Sequence, residues 1–313
     1  MREARREGPG GEVNDIRYLH YPPMPARKKA HPDAACPPPR GTIVAIGGHE
    51  DKSPNPGTDP TAEYAPDSIL RRFVQELRGK GPVVVVPIAS EEPEAAAQEY
   101  VDLFTSLGVK RVEVFNASER EQAEDPAALQ LLNEAAGLMF TGGDQLRLTA
   151  LLGGTAWLRR LKERYTRDRL VIAGTSAGAT AMSTPMIYQG RNDAGMLKDE
   201  IHVTTGLQFV HDVAIDTHFV ARGRIVRMAQ IIATNPGCIG LGLEEDTGVV
   251  ITEGREIEVI GSGIVTVVDG HHSTGGTIHL VEPGEPFSIR DVRVHFLSCG
   301  QRYTLPVQEE VHK

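Results

Sequence analysis

VIAGTSAGAT, residues 171–180, is the stretch on which the reading of this chain turns. A short apolar run, Leu170–Ala173, leads at once into Gly174-Thr175-Ser176-Ala177-Gly178. The run has the length and composition of a strand covered on both faces. The five residues from Gly174 to Gly178 match G-x-S-x-G, the strand-to-helix turn that lifts a serine hydroxyl above a sheet. The small residues have a physical reason, because the backbone of a tight turn passes close to itself and side chains at 174 and 178 would clash. A helix starting near Ala177 points its N–H groups at the same spot, where one can stabilise an oxyanion. A glycine-rich turn chosen only for packing would show the same letters, so the meaning of Ser176 rests on its surroundings.

Those surroundings alternate. Thr42–Ile46, Val83–Ile88, Arg111–Phe115, Gly137–Phe140 and Leu170–Ala173 read as strands, and 67–77, Pro93–Leu107 and Pro126–Ala136 as helices. The pattern predicts an α/β fold, a mainly parallel sheet with helices on both faces and right-handed crossovers. After about residue 238 helices stop. Ile239–Leu243, Gly248–Thr252, Ile257–Ile260, Ile264–Val268, Thr277–Val281 and Val292–Leu297 read as short strands, an antiparallel extension of the same sheet or a small flanking one. Residues 1–40 hold eight prolines and no apolar periodicity, so they are expected to form a mostly irregular arm before a single α/β domain over 41–313.

Bulk composition narrows the classes. The chain has 313 residues, 40% apolar and 24% charged, with a formal net charge of -9. That balance argues against a nucleic-acid binder held by phosphate contacts. No apolar run reaches the length of a membrane span, and the N-terminus lacks an apolar leader segment. The three cysteines are widely spaced without a CxxC pair, which points to a reducing compartment, the cytoplasm by default. No GK[ST] follows any glycine loop and no HExxH occurs, so neither a cofactor nor a metal is expected.

Ligands of open parallel sheets bind beyond the carboxyl ends of the strands. Three glycine-rich segments fall at such ends: GlyGlyHisGluAsp at 47–51, ThrGlyGlyAspGln at 141–145 and the Ser176 turn. The second can supply an oxyanion donor from Gly143 or Gly142, beside that of Ala177. The serine needs a base. His218 follows the apolar Val213–Ile215 and so also reaches a strand end. Arg222, Arg224 and Arg227 come next, with the last two on one face if 223–232 is helical. Such a cluster suits carboxylates. For the acid that orients the imidazole, Glu244, Glu245 and Asp246 end another apolar strand, and adjacent strand residues face opposite sides, so Glu244 and Glu245 cannot both reach His218.

Taken together, residues 47–52, 141–148, 174–179, 216–228 and 240–247 resemble the cyanophycinase family in order and spacing, over roughly residues 41–270. That family is related to the aspartyl dipeptidases and, through fold, to class I glutamine amidotransferases. The resemblance implies a serine peptidase that cuts cyanophycin, poly-aspartate with arginine on each β-carboxyl, to β-Asp-Arg dipeptides, and it implies a homodimer. It makes Ser176 the nucleophile, His218 the base and Glu245 the orienting acid. Gln145, Asp216, Arg222, Arg224 and Arg227 then line the substrate pocket, with Asp216 available for a guanidinium. Position 217 departs from the pattern, carrying Thr where a Gln is usual, which opens the way to other β-aspartyl or aspartyl peptides. Two rivals stay open: an α/β-hydrolase esterase running Ser176, Asp246 and then His271, His272 or His279, and a non-catalytic binder of anions on the same loops.

Overall fold

The structure, a computed structural model, describes residues 37–52, 68–190 and 196–306. The expected Pro-rich arm falls almost wholly outside them. In chain order the elements are β1 (Thr42–Ile46), α1 (Ser68–Glu76), β2 (Val83–Val86), α2 (Pro93–Ser106), β3 (Val112–Val114), a 3-10 turn at Arg120–Glu124, α3 (Pro126–Glu134), β4 (Gly137–Phe140), α4 (Gln145–Leu152), α5 (Ala156–Arg167), β5 (Val171–Thr175) and α6 (Ala177–Thr180). Then come β6 (Ser183–Thr184), β7 (Met186–Gly190), β8 (Ile201–Thr204), β9 (Val210–His211), β10 (Val213–Thr217), α7 (Ile225–Thr234), β11 (Ile239–Leu243), β12 (Thr247–Thr252), β13 (Glu256–Gly261), β14 (Val265–Asp269), β15 (Arg293–Leu297) and β16 (Arg302–Thr304).

An eight-stranded sheet runs β16-β13-β12-β1-β5-β4-β2-β3. From β1 to β3 every neighbour is parallel, while β12, β13 and β16 pair antiparallel on the other flank. A second sheet runs β15-β14-β11-β10-β6-β9, with β10 and β11 parallel. The strands after residue 238 therefore divide between two sheets. The fold is mixed α/β around a parallel-rich sheet.

Alternation along β1 shows how that sheet is covered. Ile43 and Ala45 join a core with Leu132 of α3, Trp157 and Leu161 of α5, and Ile215, Leu241 and Val267 of the second sheet. Val44 and Ile46 point the other way, to Leu70 and Phe73 of α1 and Tyr100 and Phe104 of α2. A strand buried on both faces has no polar positions to spare, which is why these strands read as unbroken apolar runs. α7 closes the outer face of the second sheet, with Met228 and Ile232 packed against Ala214 and Val268.

Two differences from the sequence expectation have local causes. Helices α4 and α5 fill the interval between β4 and β5, because a parallel pair needs a crossover. Thr155 starts the second of them by accepting the N–H of Leu158 on its hydroxyl at 3.3 Å. Thr277–Val281 forms no strand. The Leu280 N–H turns back onto Thr277 O at 2.8 Å, and Leu280 is exposed between Gly275-Gly276 and Pro283-Gly284, which break extended pairing on either side.

The turn after β5 is closely packed. A Cβ on Gly178 would lie 2.5 Å from Phe140 O, so α6 rests directly on β4. Replacing Gly178 with Val should cost about 1–3 kcal/mol through overpacking, read as a lower midpoint in urea unfolding. An unchanged midpoint would show that α6 is free to move off β4.

Candidate active site

Three chain segments meet at the carboxyl end of β1. The Ser176 N–H donates to Ile46 O at 3.0 Å, and the His218 N–H donates to Gly47 O at 3.0 Å. The Asp246 N–H donates to Gly48 O at 2.9 Å, which brings Glu245 to the same edge. Side chains then line up. Ser176 Oγ lies 3.0 Å from His218 Nε2, and His218 Nδ1 lies 2.7 Å from Glu245 Oε1. A carboxylate only accepts, so Nδ1 carries the proton and Nε2 is the bare nitrogen that faces the serine. Ser176 itself has φ 51° and ψ -114°, a conformation outside the ordinary left-handed well that an L-residue keeps only when its surroundings enforce it. Gly48 seats the imidazole, because a Cβ there would stand 2.5 Å from the His218 ring.

Burial holds the His218 imidazole below its ordinary pKa, and the nearby positive charge of Arg222 pushes the same way, against the hydrogen bond to Glu245. The ring therefore rests neutral, the state in which it accepts a proton. Glu245 is held below the usual carboxylate range, first by its hydrogen bond to His218. Ala177 follows the serine at the start of α6, and a Cβ on Gly142 would stand 3.5 Å from Ser176 Cβ, so the 141–145 loop lies beside the serine.

The arginine cluster is built differently from the expectation. Asp216 is fully buried, and Arg227 grips it in a two-point contact, Nε to Oδ2 and Nη2 to Oδ1, both 2.6 Å. Arg224 donates to Asp216 Oδ1 at 3.0 Å and to Thr217 O at 2.6 Å. Asp216 is thus not open to a substrate guanidinium. Its charge is neutralised inside the fold, where two arginines are needed to offset its burial. Arg227 and Thr217 are buried as well. Arg222 is exposed, and Gln145 is fixed by its amide, which donates to Ile187 O at 2.8 Å.

Comparison with known proteins places the chain. Residues 58–260 match peptidase family S51. The chain is 33% identical to the cyanophycinase of Synechococcus elongatus over 95% of its own length and 89% of that protein's. It is 32% identical to the cyanophycinase of Geminocystis herdmanii, over 84% of its length and 93% of the relative's. This chain belongs to the cyanophycinase family, peptidase family S51. It is a peptidase, a hydrolase. The crystal structure of a peptidase from an acI-B1 Actinobacterium shares the fold, with a TM-score of 0.59 at 20% identity over 84% of this chain and 96% of that one.

Within this family member the two adjacent acids part company. Glu245 meets His218, while Glu244 accepts the N–H groups of Val220 and Ala221 at 2.6 and 3.1 Å and pins the turn after the histidine. The serine of the esterase order faces a different histidine: Ser176 Oγ meets His218, while His271 pairs with Asp269 at 2.8 Å and Asp246 accepts from Asp51 N–H and the Ser262 hydroxyl. Two residues of the first glycine loop matter more than their sequence context suggested. Glu50 is buried and takes hydrogen bonds from Tyr100 OH and, at 2.6 Å, from the hydroxyl of Thr175, the residue before the serine. His49 places Nδ1 3.1 Å from Glu245 Oε1. Glu50 carried no signal of its own in the sequence beyond its place in the glycine-rich segment 47–51 at the end of β1.

The lowered pKa of His218 sets a pH test. Because the neutral ring is the competent one, and burial keeps it neutral below its ordinary 6.5, kcat/KM should hold through neutral pH and fall only on the acid side of 6.5. An acid limb centred above 6.5 would contradict the buried placement of the ring.

Proposed function

We propose that this chain hydrolyses cyanophycin to β-Asp-Arg dipeptides through an acyl-enzyme on Ser176. One observation carries the proposal: the hydrogen-bonded line Ser176 Oγ, His218 Nε2, His218 Nδ1, Glu245 Oε1, at 3.0 and 2.7 Å, in a chain whose relatives are cyanophycinases. His218 takes the Ser176 proton as Oγ attacks the scissile carbonyl. The strained turn serves as a nucleophile elbow, and the Ala177 and Gly143 N–H groups hold the oxyanion, each such donor contributing ~3 kcal/mol to the transition state. The carbon–nitrogen bond then breaks, and the imidazolium returns its proton to the leaving amine. Water, deprotonated by the same ring, releases the ester. Glu245 keeps Nδ1 protonated and stabilises the imidazolium.

Substrate recognition follows the freedom of the arginines. Arg222 is exposed and close enough to His218 to act on its charge, and it takes the free α-carboxylate of an arginine branch of the polymer. Arg224 and Arg227 act through Asp216 to set the floor. A second reading, another β-aspartyl or aspartyl peptide, is favoured by Thr217, whose short buried hydroxyl replaces a longer amide. The parallel core flanked by antiparallel strands supports a class I glutamine amidotransferase-like description of the fold. Among the described residues no helix is long and apolar enough to cross a membrane. A cytoplasmic homodimer is part of the same proposal and is checked by light scattering.

Ser176→Ala should abolish release of β-Asp-Arg, followed by mass spectrometry of the products, while leaving the unfolding midpoint in place. Retained turnover would end the proposal, and labelling of Ser176 by a serine-directed probe separates an enzyme from a mere binder. Arg222→Glu should depress kcat/KM on the polymer by ~10-fold or more, in line with a lost charge-assisted contact of about 1.5–3 kcal/mol, and change turnover of a small activated ester much less. Equal losses on both substrates would assign Arg222 to the chemistry or the fold instead.

A further inference from the structure

The catalytic line has a further imidazole on its solvent side that the reaction does not use. His49 comes directly after Gly48 with φ 49°, and its side chain is 70% exposed. Its ring meets that of His218 edge-on, with centroids 5.0 Å apart. Its Nδ1 shares Glu245 Oε1 with His218 Nδ1, at 3.1 and 2.7 Å. The three ligand atoms all lie within 4.8 Å of one another, and among the described residues this is the group whose side chains could close on one ion. Zinc takes nitrogen and carboxylate ligands at roughly 2.0–2.2 Å in a tetrahedron, with donor atoms therefore about 3.3 Å apart. Two of the three separations are already near that spacing. The exposed His49 can swing to close the triangle, and solvent supplies the fourth position.

We propose that this trio is an inhibitory transition-metal site: one Zn2+ binds His49 Nδ1, Glu245 Oε1 and His218 Nδ1 and silences the serine. The effect works through the tautomer. Without metal, the His218 proton sits on Nδ1 toward Glu245, and the Nε2 lone pair faces Ser176 Oγ. With the metal on Nδ1, the neutral ring keeps its one proton on Nε2, where it donates to the serine oxygen. The lone pair that would accept the serine's proton is gone, and Glu245 directs its charge to the cation rather than to an imidazolium. The site needs neutral imidazoles, and the burial of His218 supplies one.

The effect on activity rests on the peptidase reading, and the binding does not. Titration calorimetry of the full chain with zinc chloride at neutral pH should give one bound ion, with affinity at least ~10-fold weaker in His49→Ala. The zinc concentration that halves cyanophycin hydrolysis should rise by the same factor, EDTA should restore turnover, and His271→Ala should leave both values in place. Equal zinc binding by His49→Ala and the native chain overturns the site. Binding at His49 that leaves hydrolysis untouched overturns the silencing. Absence of hydrolysis in the metal-free native chain overturns the peptidase reading alone, and the calorimetric comparison still decides the site.

Discussion

Three consecutive carbonyls at the end of β1 hold the site together. Ile46 O takes the N–H of Ser176, Gly47 O that of His218 and Gly48 O that of Asp246. Ser176, His218 and the strand end that carries Glu245 come from chain segments far apart, and only the last two also pair with each other, through the parallel β10–β11 ladder and the Phe219 N–H to Leu243 O at 3.2 Å. Each is registered against the same short run. β1 is suited to that task because it lies inside the main sheet, paired with β5 on one side and β12 on the other, and both its faces are buried. A strand with no solvent face and two ladders has little freedom to shift, so its terminal carbonyls are fixed reference points.

Fixing the backbone is only part of the requirement, because side chains must also be aimed. Ser176 is aimed by its φ of 51°, and the small residues around it allow α6 to pack on β4. His218, also at positive φ, is aimed by contact with Gly48 and by its two hydrogen bonds. Glu50 extends the same logic under the loop: by accepting from Thr175 and Tyr100 it ties the serine strand to α2. Holding residues in sparsely populated conformations costs about 1–3 kcal/mol each, and such cost persists only where packing over-determines the geometry. The doubly covered sheet is what meets that condition here.

The strands and the Ser176 turn could be read from the letters because both depend on local pattern. Continuous Val and Ile runs mean burial on both faces, and G-x-S-x-G is a local steric solution. His218 was findable because it ends an apolar run. The role of Asp216 was not, because whether an acid meets a ligand or an arginine of its own chain depends on where α7 docks, and that is set by Met228 and Ile232 packing on the second sheet. The same limit applies to Thr277–Val281, where β-prone residues lie between Gly275-Gly276 and Pro283-Gly284 and only Thr277 bonds the neighbouring segment, its N–H to Ser288 O at 2.9 Å. His49 was hidden for a further reason: its partner, Glu245, lies in a distant part of the sequence, on the far side of the serine and the histidine.

The Asp216 arrangement changes how charge serves the cleft. Three arginines following His218 suggest an anion trap, yet two of them balance a carboxylate that water does not reach. Burying one charge against two leaves a positive excess inside the fold, which favours anions at a distance rather than by contact. Of the three, Arg222 is the exposed one, and it lies close enough to lower the imidazole pKa. Arg222 therefore adds to burial in holding the His218 ring neutral, the state in which an imidazole can accept a proton from a neighbouring hydroxyl.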